Sequence, residues 1–159
     1  MVRLRFAALS AAFALFAVGV APSVAQAAQP LSIGGCSVTV DNPHESTGAG
    51  GADVKARFKC DTGADPQHYT AQLYLYVCGS KPPSGYSLAY LQAHCTHKAS
   101  SDYGSFTVGT GRTVTRTAPE PGSPAVHGSG YWAGLVAWTT ACCGPLTNES
   151  RSNVVQFTA

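Results

Sequence analysis

Apolar and polar residues alternate along several short segments of this chain, and such alternation predicts half-buried β-strands. Residues 53–60 show it most cleanly. One face of this segment is apolar and consists of Val54, Ala56, Phe58 and Cys60. The other face is basic and consists of Lys55, Arg57 and Lys59. We interpret the basic residues as the solvent face of a strand and not as a ligand site.

Other segments repeat the pattern with different faces. Residues 69–78 place Ala71, Leu73, Leu75 and Val77 on one side of a strand, opposite Gln72, Tyr74, Tyr76 and Cys78. Residues 131–140 are apolar on both sides, which is typical of a central strand covered on both faces. Shorter strands are predicted at residues 37–40 and 154–158, and residues 106–108 and 112–117 predict a hairpin about Gly109-Thr110-Gly111.

Turn-forming residues separate these segments. The sequence predicts an irregular lead segment at residues 28–32. It predicts turns or loops at residues 41–51, 61–66, 79–85 and 119–130. Residues 87–94 fit a helical and a strand spacing equally well, and no long amphipathic helix is present. The pattern predicts an all-β protein: an antiparallel two-sheet β-sandwich of about seven to eight strands.

The first residues predict export from the cytoplasm. Arg3 and Arg5 precede an apolar run over residues 6–20, and Ala25-Gln26-Ala27 supplies a signal-peptidase pattern. We therefore expect residues 1–27 to be a cleaved signal peptide and residues 28–159 to be one secreted, extracellular domain. No other apolar stretch reaches the ~20 residues that cross a bilayer.

Charge then excludes some partners. The chain has ten Lys and Arg residues against eight Asp and Glu residues. Cleavage removes Arg3 and Arg5, so the secreted domain has eight of each. A nucleic-acid partner needs a clustered basic face, which this sequence lacks.

The last third of the chain resembles a known fold family. Tyr131-Trp-Ala-Gly-Leu-Val-Ala-Trp, followed by Ser150-Arg-Ser-Asn-Val-Val-Gln-Phe-Thr, is similar to the final hairpin of immunoglobulin-like and fibronectin type III-like domains. The Ala-rich signal segment also resembles those of small secreted actinobacterial proteins. The resemblance implies an immunoglobulin-like sandwich and carries no function.

All six cysteines follow the signal segment, and thiols that are exported oxidise. Successive strands of such a sandwich reverse direction, so Cys78 and Cys95 should meet at one end and form a disulfide. Cys36, Cys60, Cys142 and Cys143 should gather at the other end. Their pairing stays open: either Cys36–Cys60 with a vicinal bridge, or the vicinal pair divided between Cys36 and Cys60. Ile33-Gly34-Gly35-Cys36 also resembles a lipobox, and lipid anchoring at Cys36 is the alternative to free secretion.

Known catalytic and metal-binding patterns find little support in this sequence. Gly128-Ser129-Gly130 lacks the strand-to-helix context of a nucleophile elbow. His94 and His97 flank Cys95, and His68 or His127 would have to complete a zinc site. We interpret these histidines as solvated loop residues, and we predict no catalytic residue, no metal and no cofactor.

Aromatic residues give the best candidate binding face. Tyr74 and Tyr76 lie off the aliphatic face of their strand, and Trp132 and Trp138 share one face of theirs. On neighbouring strands these rings would form an exposed patch suited to a sugar or a protein. We therefore expect a non-enzymatic extracellular binding module whose partner is a protein or a carbohydrate. The alternatives are an extracellular hydrolase and a secreted protease inhibitor that presents a disulfide-braced loop.

Overall fold

The computed structural model describes residues 31–47, 50–141 and 144–159 of the chain. The predicted signal segment lies outside these ranges. Within them the chain forms ten β-strands and one short α-helix. In chain order these are β1 (Leu31–Ile33), β2 (Cys36–Val40), β3 (His44–Ser46), β4 (Gly51–Cys60), β5 (Gln67–Cys78), α1 (Leu88–His94), β6 (Thr96–Val108), β7 (Thr113–Ala118), β8 (Ser129–Thr139), β9 (Asn148–Arg151) and β10 (Val155–Thr158).

The strands form two antiparallel sheets, which confirms the predicted β-sandwich. The first sheet has the order β1-β2-β4-β3, and β7 also pairs with β4. The second has the order β10-β8-β5-β6, and β9 also pairs with β8. The described residues form ten strands, whereas the sequence predicts seven to eight. The additional strands, β1, β3 and β9, are short. β1 and β3 lie within segments predicted to be irregular.

The two strongest sequence patterns are confirmed. The apolar face of β4 is buried, and its basic side chains are half-buried or exposed. β5 buries alternate residues in the same way. Between the sheets, Phe58 contacts Tyr69 with ring centroids 5.0 Å apart and Phe106 with centroids 4.9 Å apart. These rings form part of the main core.

Strand β8 is buried on both faces from Trp132 to Thr139, as its sequence predicts. Its inner face joins the core between the sheets. Its outer face joins a second apolar cluster, which consists of Tyr76, Cys78, Tyr86, Leu91, Ala133, Leu135 and Ala137. Gly134 sits where the sheets approach closely, since a Cβ there would collide with the side chain of Val54.

Helix α1 covers part of this outer face and settles the ambiguous reading of residues 87–94. The Ser87 side chain accepts a hydrogen bond from the Tyr90 backbone N–H at 3.2 Å and caps the first turn. Leu91 is fully buried against the second cluster. The apolar i, i+3 spacing of Leu88 and Leu91 is therefore the helical one.

The predicted hairpin about Gly109-Thr110-Gly111 is wrong. β6 pairs with β5 in the second sheet, whereas β7 pairs with β4 in the first, so this turn connects the two sheets. The β4–β5 turn holds it in place: Thr110 Oγ1 donates to the Ala64 carbonyl at 2.8 Å, and Gly111 N–H donates to the Asp61 carbonyl at 3.1 Å. Turn residues suit a hairpin and a crossing between sheets equally well.

Two disulfides lie in the described residues. Cys78–Cys95 is present as predicted. Cys36–Cys60 joins paired positions of β2 and β4, which excludes dividing the vicinal pair between Cys36 and Cys60 and agrees with the Cys36–Cys60 part of the other arrangement. Cys142 and Cys143 lie outside the described residues. Because the Cys36 sulfur is bonded to Cys60, it is not available for the thioether of a lipid anchor.

In the described ranges, no helix is both long enough and apolar enough to cross a membrane.

Candidate functional site

A well-formed cleft lies between the loop after β5 and the segment that runs from β9 to β10. Its volume is about 590 Å³, within the ~300–1,000 Å³ typical of small-molecule sites. Residues 81–86 form one wall and residues 149–154 form the other, with Leu31 at the rim. We call it the Arg151 cleft after the charged side chain that dominates it.

Tyr86 fixes the loop wall of the cleft. Its side chain is buried, and its hydroxyl lies 2.9 Å from the carbonyl oxygens of both Gly134 and Ser152. The single phenol proton donates to one of these acceptors at a time. The Ser152 hydroxyl in turn accepts from Gly134 N–H at 3.0 Å and donates to the Asn153 carbonyl at 2.8 Å. This network ties the loop, β8 and the turn after β9 together, so the cleft is formed before any ligand arrives.

Burial raises the pKa of Tyr86 to about 12, from an ordinary value near 10. Below pH 10 the phenol is neutral in both the folded and the unfolded chain, so its burial makes stability neither rise nor fall with pH. Between pH 10 and 12 only the unfolded chain loses the proton, so stability falls as pH rises. We expect Tyr86 to account for a loss of roughly 1–2 kcal/mol in the free energy of unfolding between pH 8 and pH 11. Urea titrations at the two pH values measure it.

Tyr86→Phe should abolish that part of the pH dependence. At pH 8 the same variant should be less stable by about 1–3 kcal/mol, because a buried carbonyl loses its donor. Tyr74→Phe is the comparison: burial also raises the pKa of Tyr74, but its half-buried hydroxyl bonds the Gln72 side chain and not a backbone carbonyl, so this variant should flatten the alkaline slope less and cost less stability at pH 8. An unchanged alkaline slope in Tyr86→Phe would contradict the assignment.

Arg151 supplies the charge of the cleft. Its side chain is 28% exposed, and its Nη2 lies 4.0 Å from Glu149 Oε2, which is beyond hydrogen-bonding distance. Glu149 is already engaged: its two carboxylate oxygens accept the Leu88 backbone N–H at 3.3 and 3.4 Å. Within the described residues the guanidinium has no closer acidic neighbour. Arg151 therefore lines the cleft with a guanidinium that is ion-paired to Glu149 only at long range.

The structure does not bring the four predicted aromatic residues onto one exposed face. Trp132 and Trp138 are fully buried in the main core. Tyr74 and Tyr76 lie on the opposite side of the same sheet, where Tyr76 is buried and Tyr74 is half-buried. The register explains this, since Tyr74 pairs with Leu135 while Trp138 pairs with Ala71. Directly paired residues share a face, and these two pairs lie on different faces.

Each of these histidines makes a different contact. His97 packs edge-on against Tyr76 with ring centroids 5.3 Å apart, and His94 lies 4.6 Å from the Tyr90 ring. His68 Nδ1 lies 2.9 Å from the Thr107 hydroxyl. The His127 carbonyl accepts from Lys98 at 2.8 Å. In residues 31–47, 50–141 and 144–159, no group of three or more His, Cys, Asp or Glu side chains is placed to hold a metal.

A second groove, of about 370 Å³, contains two carboxylate residues, Asp53 and Glu120. Asp53 is buried, and its Oδ1 lies 3.0 Å from His44 Nε2 across the β3–β4 pair. The two side chains form an ion pair only when His44 is protonated, and Asp53 Oδ1 has no hydrogen-bond partner among the described residues. Glu120 lies in the loop between β7 and β8 and is exposed.

The segment between Cys78 and Cys95, which the protease-inhibitor alternative would present, is anchored to the sandwich at two positions. Tyr86 and Leu91 anchor it to the second apolar cluster, and its later half is helix α1. Four of its exposed residues, Lys81, Pro83, Ser84 and Gly85, form a wall of the Arg151 cleft.

The Arg151 cleft was not predicted from the sequence. Its walls are two turn-rich segments more than sixty residues apart, and neither has a period that marks a functional face. Tyr86 directly precedes residues 87–94, whose spacing fits a helix and a strand equally well. The one available signal was Arg151, a charged residue between two predicted strands.

Comparison with known proteins adds little. No protein-family model and no curated protein matches the chain. Among solved structures, the chain is similar to a crystal structure of DesR, a beta-glucosidase from Streptomyces venezuelae in complex with D-glucose. The identity is 14%, the TM-score is 0.31, and the match covers 76% of this chain but 15% of that one.

Proposed function

We propose that the protein is a secreted, non-enzymatic binding module that holds an extracellular ligand in the Arg151 cleft. One observation carries the proposal: a pre-formed cleft contains a half-buried guanidinium that has no hydrogen-bonded acid among the described residues. Arginine donors in a partly desolvated site recognise ligand acceptors well. The predicted signal segment and the two disulfides support secretion.

An immunoglobulin-like fold is part of this proposal. Strands β2, β4 and β7 lie together in one sheet, and β10, β8, β5 and β6 follow one another in the other. The three-strand set matches the A, B and E strands of an immunoglobulin sandwich, and the four-strand set matches G, F, C and C′. This order supports the resemblance noted in the last third of the sequence.

The composition of the cleft favours binding over hydrolysis. Glycoside hydrolysis normally uses two carboxyl groups that flank the scissile bond. The described residues that line the Arg151 cleft include one carboxylate, Glu149, and its oxygens accept a backbone N–H. A single engaged carboxylate next to a cation is better suited to positioning a ligand than to transferring protons.

Leu31 and Ile33 provide a matched pair for testing the site. Both lie in β1, and they are 40% and 38% exposed, but Leu31 lines the cleft and Ile33 does not. We expect a fragment library of acidic, basic and neutral compounds, with oligosaccharides and short peptides, to shift backbone NMR signals of Gly85, Arg151 and Val154. Leu31→Ala should weaken the best binder about 3- to 10-fold, because it removes apolar contact at the rim.

Ile33→Ala should bind the same compound with wild-type affinity. The proposal fails if no compound shifts the cleft signals, or if the two variants weaken binding equally. Mass spectrometry of the bound compounds after long incubation tests the non-enzymatic part, and turnover of any of them would overturn it.

A further inference from the structure

The charges of the Arg151 cleft restrict the ligand that it can hold. Two cationic side chains, Lys81 and Arg151, line the cleft against one carboxylate, Glu149. Glu149 accepts the Leu88 N–H and lies 4.0 Å from the guanidinium. The unbound cleft therefore has an excess of one positive charge in a partly desolvated position.

The size of that excess favours a monoanion. A cationic ligand would meet two like charges. A phosphate dianion would place a second negative charge near Glu149, with no further cation among the lining residues to balance it. A carboxylate carries one charge, and its two oxygens match the planar donor fork of arginine.

The remaining lining residues define the rest of the ligand. Leu31, Pro82, Pro83 and Val154 give the cleft apolar surface beside the charged end. Pro82 is buried, so the exposed Pro83 and Leu31 offer most of the contact area to an aliphatic group, without competing for its carboxylate. Gly85 adjoins the guanidinium, since a Cβ there would lie 3.6 Å from Arg151 Nη1, and its φ of +85° is one that favours glycine.

We infer that the Arg151 cleft binds a carboxylate attached to a short apolar group, with Arg151 gripping the carboxylate and the Leu31–proline wall holding the apolar part. This inference rests on the proposed function, because it assigns the ligand class of the same cleft. A free branched-chain acid and the C-terminal residue of a peptide share this chemistry.

Isosteric acid and amide pairs test the inference directly. The probes are 4-methylpentanoate and its amide, N-acetyl-L-leucine and its amide, and inorganic phosphate, each titrated into the protein of residues 28–159 and followed by NMR. Each acid should bind at least about 10-fold more tightly than its amide, because a charged acceptor strengthens the contact with arginine. A preference for 4-methylpentanoate identifies a free acid as the source, and a preference for N-acetyl-L-leucine identifies a peptide end.

Arg151→Gln should weaken both acids about 10- to 100-fold and leave the amides nearly unchanged. Arg112→Gln is the control, since it removes the same charge from an exposed residue that does not line the cleft. If Arg151→Gln disturbs folding, Lys81→Gln at an exposed position serves instead and should weaken the acids about 2- to 5-fold.

The outcomes separate this inference from the proposed function. Amides or other neutral compounds that bind the cleft as tightly as the acids would overturn the inference and leave the binding module standing. Phosphate that binds more tightly than either acid would also overturn the inference. If none of these probes and no library compound shifts the cleft signals, both proposals fail.

Discussion

Trp132→Ala is expected to lower the free energy of unfolding by about 3–5 kcal/mol, because it removes a fully buried ring and leaves a cavity. The Trp132 ring stacks on Phe157 with centroids 5.1 Å apart. Its indole N–H donates to the Phe157 carbonyl at 3.0 Å. The ring therefore attaches the last strand, β10, to the core as well as filling it. Urea unfolding followed by circular dichroism measures the loss.

Tyr74→Ala is the control for this prediction. Tyr74 is half-buried on the outer face of the same sheet, so its loss should cost about 1 kcal/mol. Equal destabilisation by the two variants would show that the inner and outer faces do not differ in burial as the structure describes.

Removal of the Cys78–Cys95 disulfide by a double alanine substitution is expected to cost about 2–4 kcal/mol. Cys78 and Cys95 are 17 residues apart in sequence. The segment between them contains Tyr86, helix α1 and the loop wall of the Arg151 cleft. The variant should therefore also lose affinity for any ligand of the cleft. Chemical denaturation and ligand titration of the same sample measure both effects.

Cys36→Ala with Cys60→Ala gives a comparison at the other disulfide. That bridge joins β2 and β4 across the first sheet, and its residues do not line the cleft. The double variant should lower the free energy of unfolding to a similar degree. Its affinity for a ligand of the cleft should stay unchanged while the protein remains folded. Loss of affinity in both double variants would mean that stability alone explains the effect.

The strands with the strongest patterns could be predicted because burial alternates through residues 54–60 of β4 and 69–75 of β5. In β8 nearly all side chains are apolar. Strands β3 and β9 contain no apolar residue, so no hydrophobic period marks them, and β1 has only three residues. Their pairing depends on the longer strands that they lie beside.

The aromatic face shows a different limit. Alternation shows that Trp132 and Trp138 share a side of β8, but it does not show which side faces the other sheet. That depends on the register between β5 and β8, where Ala71 opposes Trp138. A shift of one residue would have exchanged the faces. Register is set by the whole packed sheet and is not readable from either strand alone.

The candidate site was the least predictable part, because it belongs to no periodic segment. Arg151 reaches the cleft through the position of β9 beside β8. Tyr86 reaches its partners through a loop that the sequence marks only as rich in proline and glycine. Such convergence of distant loops is a tertiary property.

The second sheet separates the main core on its inner face from the smaller cluster under α1 and the Arg151 cleft on its outer face. The exposed loop residues Lys81, Pro83 and Ser84 do not belong to the main core. Changes in the free energy of unfolding that they cause should therefore add to those caused by core substitutions. The exposed positions of the loop between Cys78 and Ser87 can therefore vary in sequence while the core of the sandwich is kept, which makes this loop a suitable place to graft a binding sequence by design.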